Sequence, residues 1–140
     1  PFGFGLTYGE VHYEDFQFRA EGADHSPDDR HEALLTDRLE FTARVHNRGP
    51  RPVTEVVQLY LRDPVASVTR PVRELKRFAR VHLDADESRK VRFVLTARDL
   101  AFHGRDMRPV VEPGRFVAWI GGSSAADLAL EFHLHPAPAP

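Results

Sequence analysis

Apolar residues recur at every second position along most of this chain, which is the spacing of a half-buried β-strand rather than of a helix. LEFTARVHN puts Leu39, Phe41, Ala43 and Val45 on one face, with Glu40, Thr42, Arg44 and His46 on the other. VRFVL repeats the pattern with Val91, Phe93 and Leu95, and LALEFHL with Leu128, Leu130, Phe132 and Leu134. In VVQLYLRD the inward set is Val57, Leu59 and Leu61, opposed by Gln58, Tyr60 and Arg62. GRFVAWIGG is apolar on both faces, so it predicts a strand that is central in its sheet or covered by a neighbouring domain. VHYEDFQF shifts phase between Tyr13 and Phe16, which predicts a bulge or a late strand start.

Turn chemistry separates these runs at NRGPRP (47–52), RDP (62–64), LDADE (83–87) and VEPGRF (111–116). Pro113–Gly114 suits the centre of a type II turn, where proline presets the first φ and glycine accepts a positive second one. The polar segment 21–37 lacks periodicity and reads as a long loop, TARDLAF (96–102) as a single helical turn, and HPAPAP as an extended tail. The pattern predicts an all-β fold: an antiparallel two-sheet β-sandwich of about seven strands, immunoglobulin or fibronectin type III in kind. With no cysteine the Cys–Trp–Cys signature is absent, which favours the fibronectin-like variant.

Composition narrows the picture mainly by exclusion. At 140 residues, with 41% hydrophobic and 29% charged residues, the chain suits one globular domain with its own core. A formal net charge of −2 and the lack of any basic run give no support for a nucleic-acid or membrane-surface partner. Compartment and oligomeric state are left open. The front, PFGFGLTYGE, is unusual: glycines at 3, 5 and 9 alternate with aromatic residues, and the chain's single methionine is Met107.

Candidate chemistry is sparse. The acidic–histidine stretch Asp24, His25, Asp28, Asp29, His31 and Glu32 shows no fixed ligand spacing and reads as a solvated loop. His133 and His135 share a strand face and read as polar surface. Trp119 is the one candidate for a sugar-proximal position, with Tyr8 or Tyr60 as platform partners, against its use in packing. None of the five serines lies in a G-x-S-x-G elbow, and neither GFGLTYG nor IGGSS is a phosphate loop. No catalytic, cofactor-binding or metal-binding residue is assigned.

Four ordered stretches resemble the C-terminal fibronectin type III-like domain of glycoside hydrolase family 3, the β-glucosidase and β-xylosidase type enzymes. PFGFGLTYG resembles the family's P-F-G-Y-G-L-S-Y, and NRGPRPVTEVVQLYLRDP its N-x-G-x-x-x-G-x-E-V-V-Q-L-Y-V-x-D-P. RPVRELKRFARVHLDADES, continuing to DLAF, is similar to R-P-x-K-E-L-K-G-F-x-K-V-x-L-x-P-G-E followed by a strand and D-L-A-F. VEPGRFVAWIGGSSAADL resembles the closing V-E-P-G-x-F-x-V-x-V-G-x-S-S-x-D-I. Departures fall at Arg77, where the pattern has glycine, at Ala85–Asp86, where it has Pro-Gly, and at DMRPV, where an aromatic residue often stands.

The resemblance implies a division into a joint (1–10), a sandwich (11–134) and a tail (135–140). It implies that Phe2, Phe4, Leu6 and Tyr8 face a preceding domain, small residues letting the backbone lie close. It further implies a catalytic aspartate on an N-terminal barrel and a glutamate acid/base on a second domain. A barrel alone needs about 250 residues, so neither is expected here. The expected role is a non-catalytic accessory domain of an exo-acting β-glycosidase, whose partners are the catalytic domains and which lends a loop to the pocket rim. The alternative is an independent carbohydrate-binding or adhesive fibronectin-like module. A buttress would expose a broad apolar face when alone, and a sugar binder a few coplanar aromatics ringed by polar groups.

Overall fold

Every strand that the alternation predicts is present. The computed structural model describes residues 10–21, 32–34, 37–62, 73–100, 102–103, 109–110, 114–123, 126 and 128–135. The strands are β1 (Val11–Glu21), β2 (Glu32–Leu34), β3 (Arg38–Asn47), β4 (Val53–Arg62), β5 (Glu74–Leu83), β6 (Ser88–Leu95), β7 (Phe102–His103), β8 (Pro109–Val110), β9 (Gly114–Gly121) and β10 (Leu128–His135). A single 3-10 turn, Ala97–Leu100, lies where one helical turn was expected. One sheet has the order β1-β3-β6 and the other β2-β10-β9-β4-β5, while β7 and β8 form a separate ribbon. Eight strands thus build the two sheets, against the seven or so expected.

The two sheets close on each other through their inward parities. Leu39, Phe41, Ala43 and Val45 of β3 and Val91, Phe93 and Leu95 of β6 meet Val57, Leu59 and Leu61 of β4, Phe116, Ala118 and Ile120 of β9, and Leu130, Phe132 and Leu134 of β10. At the centre Phe132 stacks on Phe18 at 4.6 Å and on Phe116 at 5.3 Å, with Phe41 edge-on at 5.6 Å. Such aromatic pairs add about 0.5–1.5 kcal/mol each beyond the area they bury. The strand apolar on both faces, β9, is the middle strand of five, as its pattern requires.

The phase shift in β1 is a bulge. Glu14 pairs with Arg44 and Gln17 with Thr42, leaving Asp15 and Phe16 opposite the single residue Ala43. Asp15 adopts φ 60°, a region aspartate tolerates better than most residues, and its carboxylate accepts from Gln17 Nε2 at 2.7 Å. The extra residue moves the inward parity from Tyr13 to Phe16 and Phe18, so both halves of the strand reach the core.

Two elements depart from expectation. The segment read as one long loop contains β2, whose pairing with β10 is the one parallel pair among the described strands. Only Ala33 of β2 is fully buried, too little apolar content to leave a periodic signal. Strand β5 is hidden from alternation by Phe78, which breaks the parity of Ala79, Val81 and Leu83, and by a register shift. Leu59 pairs with Arg77 but Tyr60 with Leu75, so Lys76 is the inserted residue.

Loops at one end of the sandwich are tied by Asn47. Its buried side-chain amide donates to the carbonyls of Arg51 (2.8 Å), Asp84 (3.1 Å) and Leu83 (3.3 Å), and its Oδ1 accepts from Gly49 N at 3.0 Å. The β3–β4 turn is thereby fastened to the β5–β6 turn. A Cβ at Gly49 would lie 3.0 Å from Glu10 Cβ, which explains the Asn-x-Gly spacing. In the β5–β6 turn Glu87 N donates to Asp84 O at 3.0 Å, and Asp86, where the resembled pattern has glycine, takes the positive φ of 62°. Gly114 likewise has a positive φ of 147°, while Pro113 lies outside the described residues.

Candidate functional site

The outward face of the five-stranded sheet is where unexplained side chains collect. Register places Leu75, Tyr60, Trp119 and Ala129 in one row across β5, β4, β9 and β10. The next row joins Phe78, Gln58 and Gly121, and on the other side Arg62 lies beside Val117, which lies beside Glu131. Tyr60, Val117 and Trp119 form an apolar cluster with Ala126 packed against it, separate from the core. Beyond them Leu75 is 47% and Phe78 65% exposed, the two large hydrophobic residues most open to solvent among those described.

Trp119 is only 9% exposed. The Arg73 guanidinium lies 4.1 Å from its ring centroid and that of Arg62 5.6 Å, both within cation–π range. Arg73 is held there by donating from Nη1 to the Ala126 carbonyl. Arg62 Nε is buried with no hydrogen-bond partner among the described residues. Tyr60 donates its hydroxyl to Gln58 Oε1 at 2.5 Å, and Gln58 Nε2 donates to Gly122 O at 2.8 Å, which fixes the row's rotamers. A guanidinium over the indole occupies a face that a stacked sugar would need.

A second polar feature lies at the sandwich end that Asn47 ties. Glu55 has the inward parity of Val57, Leu59 and Leu61, and is 5% exposed. Tyr13 donates its hydroxyl to Glu55 Oε2 at 2.6 Å, and a Cβ on Gly122 would lie 2.6 Å from the same oxygen. Burial pushes the Glu55 carboxyl up, with the Tyr13 hydrogen bond opposing, while burial and then the neighbouring carboxylate push the Tyr13 hydroxyl far above the ordinary tyrosine range. Sequence reasoning passed over this pair, although a glutamate on an inward parity was a legible signal.

The remaining candidates are dispersed. His133 and His135 stack with centroids 6.4 Å apart, and His135 Nε2 contacts Glu32 Oε2 at 2.5 Å, linking β10 to β2. Among the described residues no group of three or more histidine, aspartate or glutamate side chains is placed to hold a metal. Asp24, His25, Asp28, Asp29 and His31 lie outside the described residues, as do Phe2, Phe4, Leu6 and Tyr8. The buried carboxylates among the described residues are Asp37, which accepts from Leu34 N at 2.6 Å, and Glu55. Tyr13, the partner of Glu55, pairs with Val45, eight positions along β3 from Asp37, or about 26 Å at 3.3 Å per residue. A retaining glycosidase needs its two carboxyl groups about 5 Å apart.

A family model for the fibronectin type III-like domain matches residues 55–124, half of the chain. The chain belongs to that family. This fibronectin type III-like domain is of the kind carried by glycoside hydrolase family 3 enzymes. It is 35% identical over 127 residues to a β-xylosidase of Formosa agariphila, covering 91% of this chain and 16% of that protein. To a periplasmic β-glucosidase of Salmonella typhimurium it is 34% identical over 125 residues, covering 89% of the chain and 15% of the relative. A solved β-glucosidase structure from Erythrobacter marinus superimposes with a TM-score of 0.74 at 33% identity, again over 89% of this chain and 15% of the other. The domain spans about one sixth of the length of the relatives it matches.

Proposed function

We propose that this chain is the C-terminal accessory domain of an exo-acting β-glycosidase of β-glucosidase type, without catalytic groups of its own. It stabilises the catalytic domains and contributes to the rim of the active site. The observation that carries this reading is the match along nine tenths of the domain to only a sixth of β-glucosidases and β-xylosidases. In this reading the joint is residues 1–10, with Phe2, Phe4, Leu6 and Tyr8 buried against the preceding domain, and 11–134 is the sandwich. Trp119 serves packing rather than sugar stacking, which the guanidinium at 4.1 Å from its ring supports.

The test compares the 140-residue chain with the longest polypeptide encoded through it, on aryl β-glucosides and β-xylosides. The expected result is turnover by the longer polypeptide and none by the domain. Turnover by the repurified domain, abolished by changing one of its own carboxylates, refutes the accessory role. A longer polypeptide inert on every β-glycoside refutes the parentage.

A further inference from the structure

We propose that the β5–β4–β9 half of the outer sheet face is the surface on which this domain meets the catalytic part of its parent, docking an apolar patch bordered by carboxylates; the proposal rests on the accessory-domain reading. A strand facing solvent on its outer parity carries polar side chains there, as β10 does with Glu131, His133 and His135. On β5, β4 and β9 the same parity carries Leu75, Phe78, Tyr60, Val117 and Trp119, contiguous by register. Tyr60, Val117 and Trp119 are buried, and beside them Leu75 and Phe78 stand open to solvent, an exposed apolar edge of the kind that marks an interaction site.

The border of the patch states the partner's charge. Arg62 and Arg80 share this half, and the carboxylate at its edge, Glu74, is engaged by Lys76 at 3.3 Å. Among the described residues, Asp84 meets His82 at the end of β5, and on the far half Glu131 meets Arg115 at 3.6 Å and Glu32 meets His135. Arg62 Nε is buried with no hydrogen-bond partner among the described residues, and its guanidinium lies 5.6 Å from the Trp119 ring centroid. A second copy docked by a two-fold axis would set these arginines against one another, and like-charge juxtaposition disfavours it. The relatives supply the other candidate surface, since about five sixths of each lies outside the match.

Phe78→Asp and Leu75→Asp test the face, each made in the 140-residue domain and in the longer polypeptide, with Lys90→Asp on the other sheet as control. Because both side chains are exposed in the domain alone, at least one variant should melt there as the wild type does. In the longer polypeptide that variant should lower the melting temperature by several degrees and speed limited-proteolytic release of the domain about tenfold, the control doing neither. If wild type and variants release the domain equally while the wild-type polypeptide hydrolyses β-glycosides, the face is wrong and the accessory role stands. If the wild-type polypeptide hydrolyses none, the underlying reading fails first. A domain that dimerises alone in sedimentation, and loses the dimer with Phe78→Asp, assigns the face to self-association and overturns the proposal.

Discussion

The two faces of the five-stranded sheet are built by the same strands and differ by one step of parity. Inward, Leu59, Phe116, Ile120, Phe132 and Leu134 are fully or almost fully buried, and the apolar lining is continuous across β4, β9 and β10. Outward, the lining changes halfway, from ionic and imidazole groups on β10 to Trp119, Tyr60 and the exposed Leu75 and Phe78. Alternation alone explains the inward face and the β10 half of the outward one. The other half has the apolar content of a buried surface, and its edge at Leu75 and Phe78 is open to solvent. A sandwich that folds for its own sake needs one apolar face per sheet, and the surplus half-face is what a docked domain would require.

Perturbing the inward face should give the largest effect. Phe132→Ala removes the ring that stacks on both Phe18 and Phe116, and should cost about 3–5 kcal/mol in a denaturant titration. A loss below about 1 kcal/mol would mean the two faces do not differ in kind. Asn47→Ala is expected to cost less, about 2–3 kcal/mol, since it strands buried carbonyl partners at the tied loops without opening the core. An unaltered midpoint would show that the β3–β4 and β5–β6 turns hold independently.

Glu55 gives the smallest effect of the three and the only one with a pH signature. Its carboxyl is raised in the folded state by burial, so its favourable contribution is present in acid and fades as pH rises through the folded pKa. Glu55→Gln keeps an acceptor for Tyr13 and removes the titration. The variant should therefore gain stability relative to wild type between mildly acid and neutral pH. Parallel pH–stability curves would show that Glu55 is not held in a desolvating site.

What the sequence disclosed follows the same division. Period-two runs such as Leu39–Val45 announce the strands, and the shift between Tyr13 and Phe16 announces the β1 bulge, because each depends on local parity. β5 did not announce itself, since Phe78 stands on the wrong parity for a strand with a solvated back, and that misfit is the sign of the outer patch. β2 left no trace, because a three-residue parallel pairing to β10 is set by tertiary contact rather than by pattern. Trp119 was legible as a residue of interest, but the two guanidiniums on its ring were not, as Arg62 and Arg73 lie on different strands' ends and converge only in the fold.

The central claim, that half of the outer sheet face belongs against a catalytic domain, is tested most directly by side-chain solvent labelling of the wild-type protein. Hydroxyl-radical footprinting reads the exposure of Phe78 and Leu75 in the 140-residue domain and again in the longer polypeptide. Phe78, 65% exposed in the domain, should label strongly there and become protected in the longer polypeptide, while His133 and His135 on the β10 half label alike in both. Equal labelling of Phe78 in the two proteins would contradict the claim.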